Sequence, residues 1–88
     1  MDMPEISRFL GIVISLHFDD HNPPHIHAEY NEYAALVSIN DLSLLRGDIP
    51  PRAVGFVIEW MQLHQEELLK NWNMVQDTGK SFKIEPLT

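Results

Sequence analysis

Residues 9–30 read Phe9-Leu10-Gly11-Ile12-Val13-Ile14-Ser15-Leu16-His17-Phe18-Asp19-Asp20-His21-Asn22-Pro23-Pro24-His25-Ile26-His27-Ala28-Glu29-Tyr30. Through Phe18 the stretch is apolar and rich in β-branched side chains, and Asp19 to Pro24 closes it as a loop, so 9–18 is predicted as one strand. The two prolines fix φ and remove two N–H donors, which stiffens the loop and delivers the chain extended into His25. A second strand is expected over 25–31. Its alternation places His25, His27 and Glu29 on one face and Ile26, Ala28 and Tyr30 on the other; with the apolar set inward, the His-His-Glu set faces outward.

Beyond this pair, residues 33–39 form a third strand, entered through Asn31-Glu32 and followed by Asn40-Asp41, a pair tolerant of left-handed turn geometry. Leu42 to Arg46 reads as a fourth strand ended by Gly47. Connections this short require an antiparallel meander, because parallel neighbours need a crossover of about a dozen residues or more. Pro50-Pro51 suits a helix entrance, where the missing N–H costs nothing. From there Val54, Val57, Ile58, Met61, Leu68, Trp72 and Val75 recur at three- and four-residue steps, predicting one long helix over about 51–76 that Gly79 stops. Gln65 breaks this stripe beside His64, which allows a kink or a second short helix near 62–65. Trp60 lies off the stripe and reads as a marker of a partner surface. The expected fold class is α+β: a four-stranded antiparallel meander packed on one long C-terminal helix. Residues 1–79 make a single domain, and 80–88 a short C-terminal tail packed by Phe82 and Ile84.

With 88 residues, 44% hydrophobic and 22% charged, the chain has the makeup of one globular domain rather than of a disordered or fibrous protein. A domain this small buries a modest core, and a homodimer or a partner chain would supply further burial. There is no cysteine, which excludes disulfides, thiolate zinc sites and a cysteine nucleophile; any metal must be held by histidine and carboxylate. The N-terminus, Met1-Asp2-Met3-Pro4-Glu5, is acidic where a signal peptide needs positive charge, and no apolar run reaches membrane-spanning length. The expected location is the cytoplasm, with no membrane partner. Thirteen acids against six bases give a charge of −7, which opposes general binding of a phosphate backbone. Residues 1–49 hold eight of the acids and only two bases, Arg8 and Arg46, and this acidic half is also histidine-rich.

Four of the five histidines, His17, His21, His25 and His27, fall within eleven residues. Two imidazoles and a carboxylate projecting from one strand suit a divalent ion such as zinc, nickel, manganese or iron. The candidate ligands are His25, His27 and Glu29, with His21, Asp19 or Asp20 adding another from the loop. Without a metal, His25 and His27 have the ordinary pKa range of an acid–base pair near neutral pH, as cleavage of RNA through its own 2′-OH requires; Arg8, Arg46 or Arg52 would then oppose the phosphorane charge. The plain alternative is a hydrated polar strand face beside a rigid loop, serving as a protein-binding epitope. His64 reads as a half-buried histidine bonded to the backbone or near Glu67. No Gly-rich phosphate loop or Gly-x-Ser-x-Gly elbow is present.

Pro4-Glu5-Ile6-Ser7-Arg8-Phe9, Gly11-Ile12-Val13-Ile14, Asp20 to Tyr30, Pro50-Pro51-Arg52-Ala53, Glu59-Trp60 and Glu66 to Trp72 together resemble the small bacterial family catalogued as domain of unknown function 4160. The Asp-His-Asn-Pro-Pro-His-x-His string is the most specific part of the likeness. Its hallmark positions fall here on Asp20, His21, Asn22, Pro23, Pro24, His25, His27, Glu29 and Tyr30, with Arg8 and Pro50-Pro51-Arg52 as secondary marks; Leu44-Leu45-Arg46 is a looser match. The resemblance implies a toxin-like component of a type II toxin–antitoxin module, paired with a small antitoxin-like protein of the domain-of-unknown-function 2442 type.

Overall fold

The computed structural model describes residues 4–18 and 20–87. Five strands precede two helices: β1 (Glu5–Phe9), β2 (Ile12–Ser15), β3 (His25–Tyr30), β4 (Tyr33–Ser38), β5 (Leu44–Asp48), α1 (Pro51–Leu63) and α2 (Gln65–Thr78). The strands lie in sequence order as a fully antiparallel meander, as their short connections require.

The sheet has five strands rather than four because the predicted 9–18 strand is split. Leu10 and Gly11 take φ of 51° and 79°, the two-residue geometry of a right-twisted hairpin, and the chain before them doubles back as β1. Leucine seldom adopts a positive φ, so the apolar run disguised the turn. The next strand boundaries shift similarly. Leu42 (φ 56°), rather than Asn40 or Asp41, takes the left-handed conformation before β5, and β5 runs through Gly47 to Asp48 instead of ending at it. At Gly47 a Cβ would stand 2.3 Å from the Ala34 carbonyl oxygen, so the close approach of β4 requires glycine there.

The expected long helix is two helices, broken at His64. The break has a packing reason: the Gln65 side-chain amide donates to the carbonyls of Ile39 (2.6 Å) and Asn40 (3.1 Å), tying α2 to the end of β4. His64 Nδ1–H donates to Glu67 Oε1 (2.5 Å), in line with its predicted local role. Gly79, with φ 75°, ends α2 and donates its N–H to the Val75 carbonyl.

Helix residues Ala53, Val57, Trp60, Met61, Leu68, Trp72 and Val75 join Ile6, Ile12, Ile14, Ile26, Ala28, Ala35 and Val37 of the sheet in one core. The buried stripe of α1 is therefore 53, 57, 60 and 61, which corrects the reading of Trp60 as a surface residue. Trp60 is fully buried, lies 5.3 Å from the Phe9 ring and donates its indole N–H to the Glu85 carbonyl (2.7 Å). That contact belongs to the C-terminal segment, which docks with Ile84 buried and Phe82 half-buried. The Asn71 amide brackets Phe82 with two hydrogen bonds, and the Ile84 N–H bonds the Ile6 carbonyl at the edge of β1. No helix among the described residues is long and apolar enough to cross a membrane.

Candidate functional site

Helices cover the sheet face that carries Ile26 and Ala28, which leaves the opposite face for the polar members of β3. The register makes that face legible row by row. Ser15, His27, Leu36 and Arg46 stand side by side across β2, β3, β4 and β5, and Val13, Glu29, Ala34 and Asp48 form the next row. His25, His27 and Glu29 thus share a face as alternation predicts. Their exposure is graded rather than uniformly outward: Glu29 is exposed, His27 half-buried, and His25 only 6% exposed, its ring 5.3 Å from Trp72 of α2.

The loop after β2 brings Asp20 back over this face. Its Oδ2 accepts a hydrogen bond from His27 Nε2 (2.8 Å) and lies 3.2 Å from His25 Nε2. On the far side of His27, the His17 ring stacks at 3.4 Å between centroids with 7° between planes. His17, Asp20 and His27 each offer a ligand atom, and these atoms lie within 4.8 Å of one another. Partial burial, reinforced by the neighbouring His27, holds the His17 pKa below its ordinary 6.5, so the ring is neutral near pH 7.

His25 is fixed by the loop itself. Its Nδ1–H donates to the Pro23 carbonyl (2.8 Å), while the Pro24 carbonyl accepts from the Ile39 N–H (2.9 Å). The proline pair therefore anchors both the orientation of His25 and the seating of the loop beside β4.

Two clefts flank the cluster. One, of about 330 Å³, is lined by His17, His27, Glu29, Leu36 and Arg46; the other, of about 310 Å³, by Asp20, His21, Asn22, His25, Leu45 and Arg46. Arg46 borders both. It forms no ion pair or side-chain hydrogen bond among the described residues, and a bulge that shifts the β4–β5 register between Leu36 and Val37 sets its place.

The predicted site residues separate accordingly. Asp20, His25 and His27 come together; His21 and Asn22 line the neighbouring cleft and Glu29 the first, outside the ligand cluster. Asp19 lies outside the described residues. Arg8 and Arg52 line neither of the two clefts. Arg8 is held on the edge strand by Glu5 (2.8 Å), whose carboxyl that hydrogen bond keeps below its usual pKa. Arg52 lies 5.9 Å above the Phe56 ring and shares a different cleft with Tyr30 and Leu10. The arginine at the cluster is Arg46. His17 was the unassigned member, although its signal was available: with Ile12, Ile14 and Leu16 buried, alternation puts Val13, Ser15 and His17 on the face that His27 occupies next door.

A meander sheet backed by two helices, with a carboxylate and three imidazoles gathered on its open face, defines the class of protein: a small α+β domain with a His/Asp centre. The chain belongs to the family described as Domain of unknown function (DUF4160), whose model matches residues 11–73. That span contains the whole His/Asp cluster and Arg46. No curated protein and no solved structure matches the chain.

Proposed function

We propose that this protein is the toxin-like component of a toxin–antitoxin pair, directed at an RNA phosphodiester through the His/Asp cluster. The observation that carries this reading is Arg46, a guanidinium without an ion pair among the described residues that borders both clefts, one shared with His27 and the other with Asp20. Attack by a 2′-oxygen on phosphorus needs a group to take the hydroxyl proton, another to protonate the departing 5′-oxygen, and a cation against the phosphorane charge. Imidazoles in contact with a carboxylate suit the proton transfers, and Arg46 is the cation within reach. The net charge of −7 restricts such a protein to local capture of phosphate, which one free arginine in a cleft provides. The toxin role and the antitoxin-like partner of the domain-of-unknown-function 2442 type rest on the family likeness.

The test is expression with and without the neighbouring small protein. Wild type alone should arrest growth, co-expression should relieve the arrest, and Arg46→Gln should abolish it while the protein stays folded. Arrest that persists in Arg46→Gln removes the phosphodiester reading and favours a binding epitope. A wild type that never arrests growth removes the toxin reading altogether.

A further inference from the structure

The His25 ring presents a buried nitrogen for which the described residues supply no hydrogen-bond partner. A carbonyl can only accept, so the 2.8 Å contact with the Pro23 oxygen puts the proton of a neutral His25 on Nδ1 and leaves the lone pair on Nε2. That Nε2 is buried, makes no hydrogen bond, and stands 3.2 Å from Asp20 Oδ2. A lone pair 3.2 Å from a carboxylate oxygen is repelled unless a proton or a metal ion stands between them. The same carboxylate oxygen is 2.8 Å from His27 Nε2, and a ligand atom of His17 lies within 4.8 Å of those of Asp20 and His27.

We propose that His17, Asp20, His25 and His27 form a divalent transition-metal centre. The spacing around Asp20 suits it for His25 and His27: an ion with bonds of about 2.0–2.1 Å to nitrogen and oxygen keeps adjacent ligand atoms about 2.9–3.3 Å apart, close to their 3.2 and 2.8 Å from Asp20 Oδ2. The His17 ring, which lies parallel on His27, would turn out of that stack to join them. The tautomer suits it as well. A metal-bound imidazole usually donates its other N–H to a carbonyl or carboxylate, and the Pro23 carbonyl does this for His25. Three imidazoles and one carboxylate, with no thiolate, select zinc, nickel, iron or manganese over calcium or magnesium. In the metal-free protein the His27 Nε2–H bond to Asp20 fills the gap, and metal binding replaces that proton. The ligand pattern is His-x2-Asp-x4-His-x-His, drawn from the segment just after β2, the loop and β3, with His21 and Glu29 outside it.

The centre rests on the functional reading above only for its location and changes the role of the imidazoles: with an ion bound they are ligands rather than proton carriers, and the ion would act as a Lewis acid beside Arg46. Metal binding can be measured without that reading. Untagged full-length protein, treated with chelator and dialysed, is titrated with Zn²⁺ by calorimetry, and circular dichroism confirms the fold of each variant. Wild type should bind one equivalent. Asp20→Asn and His27→Gln should each weaken binding by about tenfold or more, the scale on which even outer partners of a metal site act. His21→Gln and Glu29→Gln should bind as wild type does. Should His27→Gln fail to fold, Asp20→Asn alone decides. Absence of saturable Zn²⁺ binding by wild type, or binding lost in His21→Gln or Glu29→Gln but kept in folded Asp20→Asn, overturns the proposal. Zinc binding by a protein that never arrests growth would support the centre and remove only the toxin reading.

Discussion

The imidazoles of His17 and His27 lie parallel, 7° apart in plane and 3.4 Å between centroids, although ten positions separate them in the chain. Adjacent antiparallel strands produce this: Ser15 pairs with His27, and the chain leaving β2 carries His17 past it. Partial burial, with the like charge of a neighbouring His27, disfavours a charge on His17.

Acidification should therefore destabilise the metal-free protein. The His17 pKa is lower folded than unfolded, so between the two values the unfolded chain binds more protons and stability rises with pH. The contribution is complete above the unfolded value near 6.5 and is lost as pH falls through the folded one. Thermal melts of chelator-treated protein from pH 8 down to pH 5 should show a steeper loss for wild type than for His17→Gln. Equal slopes would refute the assignment.

Two glycines should respond to alanine with opposite signs. At Gly47 (φ 81°) the new Cβ meets the Ala34 carbonyl oxygen at 2.3 Å, so Gly47→Ala should cost at least about 1–3 kcal/mol. At Gly55, inside α1, nothing lies within 4 Å of the new Cβ, and Gly55→Ala should stabilise by about 0.5–1 kcal/mol. Urea unfolding of both variants checks the pair, and a neutral Gly47→Ala would contradict the close β4–β5 approach.

A third glycine marks where the chain is readable. Gly79 announced the end of α2, because a left-handed stop needs a residue without Cβ, and the β-branched runs announced the strands. Alternation on β3 placed His25, His27 and Glu29 on one face. The hairpin at Leu10-Gly11 was hidden, since leucine carries no turn signal, and Trp60 was misplaced because a segment 25 residues later covers it. Arg46 reaches the cluster only through the β3–β4–β5 register and a bulge, which no local pattern encodes. Alternation predicts an exposed His25, but Trp72 of α2 and the loop through Asp20 and Pro23 lie against its ring.

Asn71 should act as the anchor of the C-terminal segment. It is fully buried and exchanges two hydrogen bonds with the Phe82 backbone, in the manner of a paired strand. Asn71→Leu leaves the Phe82 N–H and carbonyl without these partners, at a cost of about 1–3 kcal/mol. Hydrogen exchange should show the Ile84 amide losing protection while β3 and β4 amides keep theirs. Retained protection at Ile84 would mean that the segment is held by Trp60 and the edge of β1 alone.

His25 and His27 should separate in their response to glutamine, despite sharing a strand face. His27 is half-buried and bonded to Asp20 at its rim, so His27→Gln loses the stacked contact with His17 and a hydrogen bond worth about 0.5–1.5 kcal/mol, and should keep the fold. His25 is buried against Trp72 and holds the loop through the Pro23 carbonyl; His25→Gln disturbs that packing, removes that hydrogen bond and should cost about 1–3 kcal/mol more than the first variant. Chemical denaturation of both proteins gives the difference, and growth assays give the functional counterpart: His27→Gln should be folded and without effect on growth. Equal destabilisation would mean that the Pro23 contact does not hold the loop. A folded His27→Gln protein that still arrests growth would take His27 out of the chemistry and leave the open sheet face as a binding surface.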